Sequence, residues 1–163
     1  MNLSDIQIIE KDFFKDTRGE LWTTWKPEDF SIQFNHDKVS TSNKNVIRGL
    51  HGDTKSHKLI SCIYGEIYFV VVDNRKDSET YLKWDSFILN DLKKQFILLP
   101  PNFANGFAVL SDIAVFNYKW AYPGKYPDVN DQFSLNWKDP KLDIPWPIKH
   151  PILSDRDKNS KFI

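Results

Sequence analysis

Cysteine is almost missing from this chain of 163 residues, where Cys62 stands alone. An internal disulfide and a cysteine metal cluster are both excluded, and within "LISCIYG" the residue reads as a small strand side chain. Net charge is absent too, with 22 basic against 22 acidic residues. No long-range field draws the molecule to nucleic acid or to an anionic membrane, so any charge-based function is local. No apolar run is long enough to cross a bilayer, and the amino-terminal "MNLSDIQIIEKDFF" is too polar for a secretory signal. These absences predict a soluble, cytoplasmic protein with no nucleic-acid and no membrane partner. Repeats, low-complexity tracts and linker-like shifts in composition are lacking as well, which leaves a single domain over residues 1–163.

What is present is mostly β. "KLISCIYGEIYFVVVD" holds two strand-like runs meeting at Gly65, which predicts a hairpin turn between Ile63 and Ile67. "TYLKWDSFIL", "KQFILLPP" and "GFAVLSDIAVFNYKW" continue the series, separated by Asn, Asp, Lys and Pro. Short strands at this spacing predict an all-β sandwich or barrel, and the doubled apolar faces of "YFVVVD" fit a sheet buried on both sides. Only "KPEDFSIQF" and the carboxyl-terminal tail have room for short helices. The tail, "WKDPKLDIPWPIKHPILSDRD", is rich in proline and should run over the surface rather than pair in a central strand. The six tryptophans are expected mainly in core and rim, with one or two free to stack on a base or a sugar.

"VIRGLHGDTKSHKLI" concentrates an arginine, two histidines and a lysine between apolar runs. A barrel interior can hold a small ligand, and alternation puts Ile47, Gly49 and His51 on one face, with Gly49 leaving space beside the imidazole. Strict alternation turns Arg48 to the other face. To share the site, the strand must bulge there or Arg48 must sit at the barrel mouth. Barrels of the cupin type often hold a metal, but here His51 is followed by Gly52 and Asp53, and the later turn "PPNFANGF" offers Asn105. Three nitrogen or carboxylate ligands cannot be counted, so no metal is expected, although His51 and His57 could meet across their loop. Arg18, beside Gly19 in "TRGELW", reads alone as a solvated turn residue.

The order and spacing of "VIRGLH", "HKLI", "GEIYFVVVDNRKDSETYLKW", "LPPNFANGFAVLSD", "FNYK", "WKDP", "IPWP" and "LSDRD" resemble the dTDP-4-dehydrorhamnose 3,5-epimerases from about Asp16 to Asp157. The resemblance implies a cupin-like jelly-roll barrel with short peripheral helices, homodimeric, and without metal or other cofactor. Its substrate would be a nucleotide-linked 4-keto sugar, handled in deoxysugar, capsule or lipopolysaccharide biosynthesis. A C4 ketone acidifies the hydrogens on C3 and C5, and inversion needs one group to take a proton and another to return it on the opposite face. His51 resembles the general base. Asp157 stands at the position of its carboxylate partner, with Asp155 second. Tyr118 matches the acid on the far side. Lys58 matches the lysine facing the C4 oxygen, an oxyanion contact worth roughly 3 kcal/mol. Arg48 and Arg18 match arginines that fork the diphosphate, Arg18 reaching in from the neighbouring subunit.

The departures bear on specificity. Where the family reads "RGLHFQ" or "RGLHYQ" this chain has "RGLHGD", with a loop to Lys58 about two residues shorter; Asn105 replaces a histidine and remains a substrate-binding candidate. "WAYPGKYP" leaves Tyr122 and Tyr126 as alternatives for one family tyrosine, and Thr23 stands where an acidic residue is usual. The sugar could therefore be a dTDP-linked 4-keto-6-deoxyhexose or a larger GDP-linked 4-keto heptose, inverted at C3, C5 or both. Two other readings are a 3,4-ketoisomerase on the same scaffold and a sugar-nucleotide-binding barrel without turnover.

Overall fold

Strand β7 (Glu66–Asp73) carries the strongest β-forming run of the chain, and its two faces have different partners. Ile67, Phe69 and Val71 point into the main core, while Tyr68, Val70 and Val72 pack beneath Leu135, Leu142 and Trp146 of the tail. Each fully buried valine here contributes roughly 1.5–3 kcal/mol of transfer free energy. Residues 3–163 are described, in a computed structural model.

The remaining strands are β1 (Gln7–Glu10), β2 (Phe13–Asp16), β3 (Gly19–Trp22), β4 (His36–Asn43), β5 (Ile47–Gly52) and β6 (His57–Tyr64), then β8 (Trp84–Asn90), β9 (Gln95–Leu99), β10 (Phe103–Val109), β11 (Ile113–Ala121) and β12 (Phe133–Ser134). A 3₁₀ turn covers Pro27–Asp29 and a short helix, α1, covers Asp155–Asn159. One five-stranded sheet runs β1-β9-β6-β11-β4 and the other β12-β5-β10-β7-β8, every pairing antiparallel. This is the cupin-like jelly roll expected from the motifs, its helices short and peripheral. No helix among the described residues is long and apolar enough to cross a membrane.

The predicted hairpin at Gly65 does not form. β6 and β7 belong to different sheets, so Gly65 is the corner where the chain crosses from one to the other. Its φ is +78°, and a Cβ there would sit 2.2 Å from the Ile113 carbonyl oxygen. Only glycine fits such a corner. Cys62 is buried just before it, in the core, where burial pushes its thiol up to about 12.

Instead of forming a central strand, the proline-rich tail lies across the second sheet. The indoles of Trp84 and Trp146 donate to the carbonyls of Leu142 and Trp137 at 2.7 and 2.6 Å, pinning it down. A parallel bridge from Ile152 to Val46 then brings α1 back to β5. The third family of contacts is on the outer face of the first sheet, where Trp25, Phe30, Ile32 and Phe34 cover Leu59, Phe96 and Leu98.

Candidate active site

The inner face of the first sheet is ordered by register. Across β4, β11 and β6, one row reads His36, Trp120, Lys58 and the next reads Lys38, Tyr118, Ile60. Facing them from the second sheet is β5. Its pairing with β10 steps from Asn105↔His51 to Phe107↔Arg48, so β5 carries one residue more than β10 between the two pairs. That bulge is the resolution of the alternation problem. With the extra residue, Arg48 and His51 both line one cavity of about 350 Å³, together with Lys58, Asn105, Tyr118 and Asp157. Arg48 also sits at the exposed edge, where its Nε donates to Ser42 Oγ at 2.9 Å.

Gly49 does not open space beside the imidazole, as alternation suggested. A Cβ on it would meet Gly106 Cα at 2.6 Å, so two glycines let β5 and β10 close on each other at the bulge. Gly52 points away from the cavity, and the ring of Phe133 occupies its side-chain position, with a Cβ coming within 2.4 Å of that ring. The glycine that replaces the family aromatic therefore creates no room beside His51.

His51 Nε2 lies 2.6 Å from Asp157 Oδ1. Burial alone would raise the Asp157 carboxyl, but the hydrogen bond and charge of His51, helped by the Gly49 N–H, hold it below the usual carboxylate range. An ionised carboxylate can only accept, so the proton on this edge belongs to Nε2 and the basic lone pair is on Nδ1. Ser154 caps α1 by accepting from the Asp157 N–H at 3.2 Å, which fixes the carboxylate on the first turn. Asp155, the second candidate, is turned to solvent, its side chain 94% exposed.

Lys58 is buried, 3.4 Å from Asp53 Oδ2 and 4.5 Å above the Trp120 ring centroid. Burial lowers its ammonium, Asp53 opposes that, and Arg156 adds to it. Asp53 explains the shortened loop as well: its Oδ1 accepts from the N–H groups of Lys55 and Ser56 at 3.0 and 2.7 Å, closing a tight turn into β6. Tyr118 is half-buried. Burial pushes its phenol up, Lys38 pulls it back, Tyr126 adds an upward push, and Arg48 a smaller downward one.

Arg18 is not in this cavity. It lies at the tip of the β2–β3 hairpin, 86% exposed, bonded to Asp16. His57 is not among the cavity residues either, and among the described residues no three metal-ligating side chains converge. Of the two alternative tyrosines, Tyr126 lines the cavity, while the hydroxyl of Tyr122 lies 3.2 Å from His36 Nδ1.

Two contributors were not foreseen. Lys38 reaches the cavity from β4, and Arg156 from α1, held by Ser134 Oγ at 3.0 Å and Gln132 Oε1 at 3.2 Å. Arg156 stood in plain view inside "LSDRD", flanked by the two aspartates that drew attention instead. Arg156 Nη2, Asn105 Oδ1, Trp120 Nε1 and Ser40 Oγ are buried with no hydrogen-bond partner among the described residues, and all four residues line this cavity. Such groups cost free energy unless a ligand supplies the missing hydrogen bonds.

A jelly roll enclosing a polar, cationic cavity of this kind suits a small anionic ligand. The sequence matches the profile of dTDP-4-dehydrorhamnose 3,5-epimerase over residues 1–163. The dTDP-4-dehydrorhamnose 3,5-epimerase of Shigella flexneri is 35% identical over 171 residues, covering 99% of this chain and 93% of that protein. The crystal structure of dTDP-6-deoxy-D-glucose-3,5-epimerase from Legionella pneumophila, in complex with dTDP-4-keto-L-rhamnose, superposes with a TM-score of 0.92 at 33% identity, covering 99% of this chain and 89% of that one. The Bacillus anthracis dTDP-4-dehydrorhamnose 3,5-epimerase, with TDP and PPi bound, gives a TM-score of 0.92 at 33% identity, covering 100% of this chain and 97% of that one. The chain belongs to the dTDP-4-dehydrorhamnose 3,5-epimerase family and is an isomerase.

Proposed function

We infer that this protein inverts C3, C5 or both in a dTDP-linked 4-keto-6-deoxyhexose, without a cofactor, by proton removal and return through an enolate. The observation that carries the reading is the His51–Asp157 pair sharing one cavity with Tyr118 and the buried Lys58. His51 Nδ1 takes the proton from the carbon next to the ketone. The electron pair moves to the C4 oxygen, where Lys58 balances the developing charge. Tyr118 then delivers its proton to the opposite face, the C4 carbonyl re-forms, and solvent carries the proton gained by His51 back to the phenolate, which restores both groups. Asp157 keeps Nε2 protonated and supports the imidazolium between the two steps.

The charge of the cavity suits a diphosphate. Lys38, Arg48, Lys58 and Arg156 face Asp157 and, behind Lys58, Asp53, leaving a positive surplus of two that matches a dianion. Arg48 and Arg156 provide forks for the phosphates, and Arg18 completes the site from a second copy of the chain. Supporting that homodimer, the β2–β3 hairpin pairs with neither large sheet and exposes Phe13, Phe14 and Leu21. The dTDP ligands of the structural relatives support thymidine over guanosine. The Phe133 ring on Gly52 favours a hexose over a heptose, because that glycine opens no extra space beside the base.

Incubation with dTDP- and GDP-linked 4-keto sugars in heavy water, read by mass spectrometry and NMR, tests the reading. Deuterium at C3 and C5 of a dTDP-linked sugar is expected, with His51→Asn abolishing exchange while nucleotide binding persists. Exchange undiminished in that variant would end the assignment of the base. A proton relocated from C3 to C4, with the ketone moved to C3, would mark a 3,4-ketoisomerase. Binding with no label at all would mark a binding barrel.

A further inference from the structure

Tyr118 shares a row with Lys38, its register partner on β4. Directly opposed residues on one face of an antiparallel pair hold their Cβ atoms about 4.5–5.5 Å apart, so the lysine stem runs alongside the phenol. Its ammonium lies 4.1 Å from the Tyr126 ring centroid and 5.6 Å from that of Trp120, and donates a hydrogen bond to the Tyr126 hydroxyl. The charge on this row has no carboxylate partner among the described residues.

This matters because of what Tyr118 must become. Under the epimerisation reading, its O–H bond breaks as a C–H bond forms at the carbanion carbon, and a phenolate is left in a half-buried place where burial opposes charge. A cation held nearby favours that product. We propose that Lys38, anchored by Tyr126, is a positioning residue for Tyr118, its ammonium stabilising the phenolate formed when Tyr118 gives up its proton. The other charged and titratable groups facing this spot are His36 in the row beyond, Arg48 and the His51–Asp157 pair across the cavity, Lys58 beside Trp120, and Arg156 from α1. Of these, Lys38 is the one whose side chain runs in register with Tyr118.

The proposal rests on the epimerase reading for its purpose, yet its electrostatic content can be measured without substrate. In protein labelled with ¹³C at tyrosine Cζ, the Tyr118 signal is assigned by its loss in Tyr118→Phe and followed through an alkaline titration. Lys38→Met is expected to move the Tyr118 midpoint up by about one unit or more, the size of a charge effect at this range, while Lys38→Arg keeps it near its place. Tyr126→Phe frees the ammonium but leaves its charge, and it also removes the upward push of Tyr126, so the midpoint is expected to stay closer to the parent's than in Lys38→Met. In the activity arm, Lys38→Met lowers the ratio of net inversion to solvent exchange roughly three- to tenfold, since His51 still exchanges protons on its own side. A midpoint that stays put in Lys38→Met, with the other tyrosine signals unchanged and so the fold intact, overturns the proposal. So does an unchanged ratio. If the unmodified protein neither exchanges nor inverts any 4-keto sugar, the epimerase reading fails, and the Tyr118 midpoint still decides whether Lys38 acts on the phenol.

Discussion

Asp53 and Lys58 close the loop after the candidate base and meet, both buried, at 3.4 Å. One carboxylate does two jobs: Oδ1 holds the turn through the Lys55 and Ser56 N–H groups, and Oδ2 balances the ammonium. Asp53→Asn keeps the turn acceptor and removes the charge. Leaving Lys58 buried without its counter-charge is expected to cost about 3 kcal/mol or more in urea unfolding at neutral pH. Burial already lowers the ammonium, and Asp53 opposes that. The folded state therefore loses the Lys58 proton at lower pH than the unfolded chain does, and without Asp53 at lower pH still. Two consequences follow for the pH profiles. The variant should regain stability relative to the parent as pH rises towards the ordinary lysine value, because the unfolded state there binds the extra proton. Its proton-exchange activity should also fall away at lower pH than the parent's. An alkaline limb that does not move would show that Lys58 keeps its charge without Asp53.

Asp157 works in the opposite sense. Despite burial, His51 and the Gly49 N–H hold its carboxyl below the usual range, so folding favours the ionised form. Stability from this group is complete above about pH 4, the ordinary carboxyl value, and is lost as pH falls through the lower folded value. Asp157→Asn should be less stable near neutrality and show a shallower loss on acidification than the parent, measured by chemical unfolding at several pH values. The same variant should slow deuterium exchange about 10²- to 10⁴-fold, the size of a disabled general base. Equal acid slopes would mean that His51 contributes little to holding the carboxylate.

Much of this was legible in the chain, and the misses have physical causes. The strands from β6 to β11 followed from apolar runs, the surface course of the tail from its prolines, and the convergence of His51, Lys58, Tyr118, Asn105 and Asp157 from motif order, while β1, β2, β4 and β12 went unread. Alternation failed at β5 because one added residue shifts every later side chain to the other face, and nothing in "VIRGLH" marks a bulge without the Gly49–Gly106 contact from β10. The Gly65 corner read as a hairpin because a turn within one sheet and a crossing between two share the same residue type. Gly52 and Asp53 looked like losses from a motif, yet their meaning lies in residues far along the chain or across a turn: Phe133 fills the first, and Lys58 answers the second. Lys38 carries no local signal, since its place depends on the register of β4 with β11.

The Gly52–Phe133 contact predicts a coupled pair. A Cβ at residue 52 comes within 2.4 Å of the Phe133 ring and 2.5 Å of the Phe103 carbonyl oxygen. Gly52→Ala alone should destabilise by about 1–3 kcal/mol through overpacking. Phe133→Ala alone should also destabilise, by removing a ring that packs with Leu50 and Leu135. In the double variant the first penalty should shrink, because the ring is gone and only the carbonyl contact remains. Urea unfolding of the four proteins gives the coupling energy. Strict additivity would place the strain of residue 52 on the Phe103 backbone instead.

Arg18 provides the most direct test of a shared site. Its side chain is 86% exposed at the hairpin tip and belongs to no wall of its own chain's cavity, so a role on the diphosphate requires the hairpin of a second copy. His51→Asn removes the base from every site of a homodimer, and Arg18→Ala weakens every site. When the two variants are mixed and allowed to exchange subunits, each heterodimer holds one site with both defects and one with neither. Activity should therefore rise above that of either variant alone, with a Michaelis constant for the rescued fraction matching the parent. Light scattering on the same mixture checks that dimers form. If each chain built its site from its own residues, every site would still carry one defect and mixing would restore nothing. A dimer without rescue would exclude Arg18 from the neighbouring site.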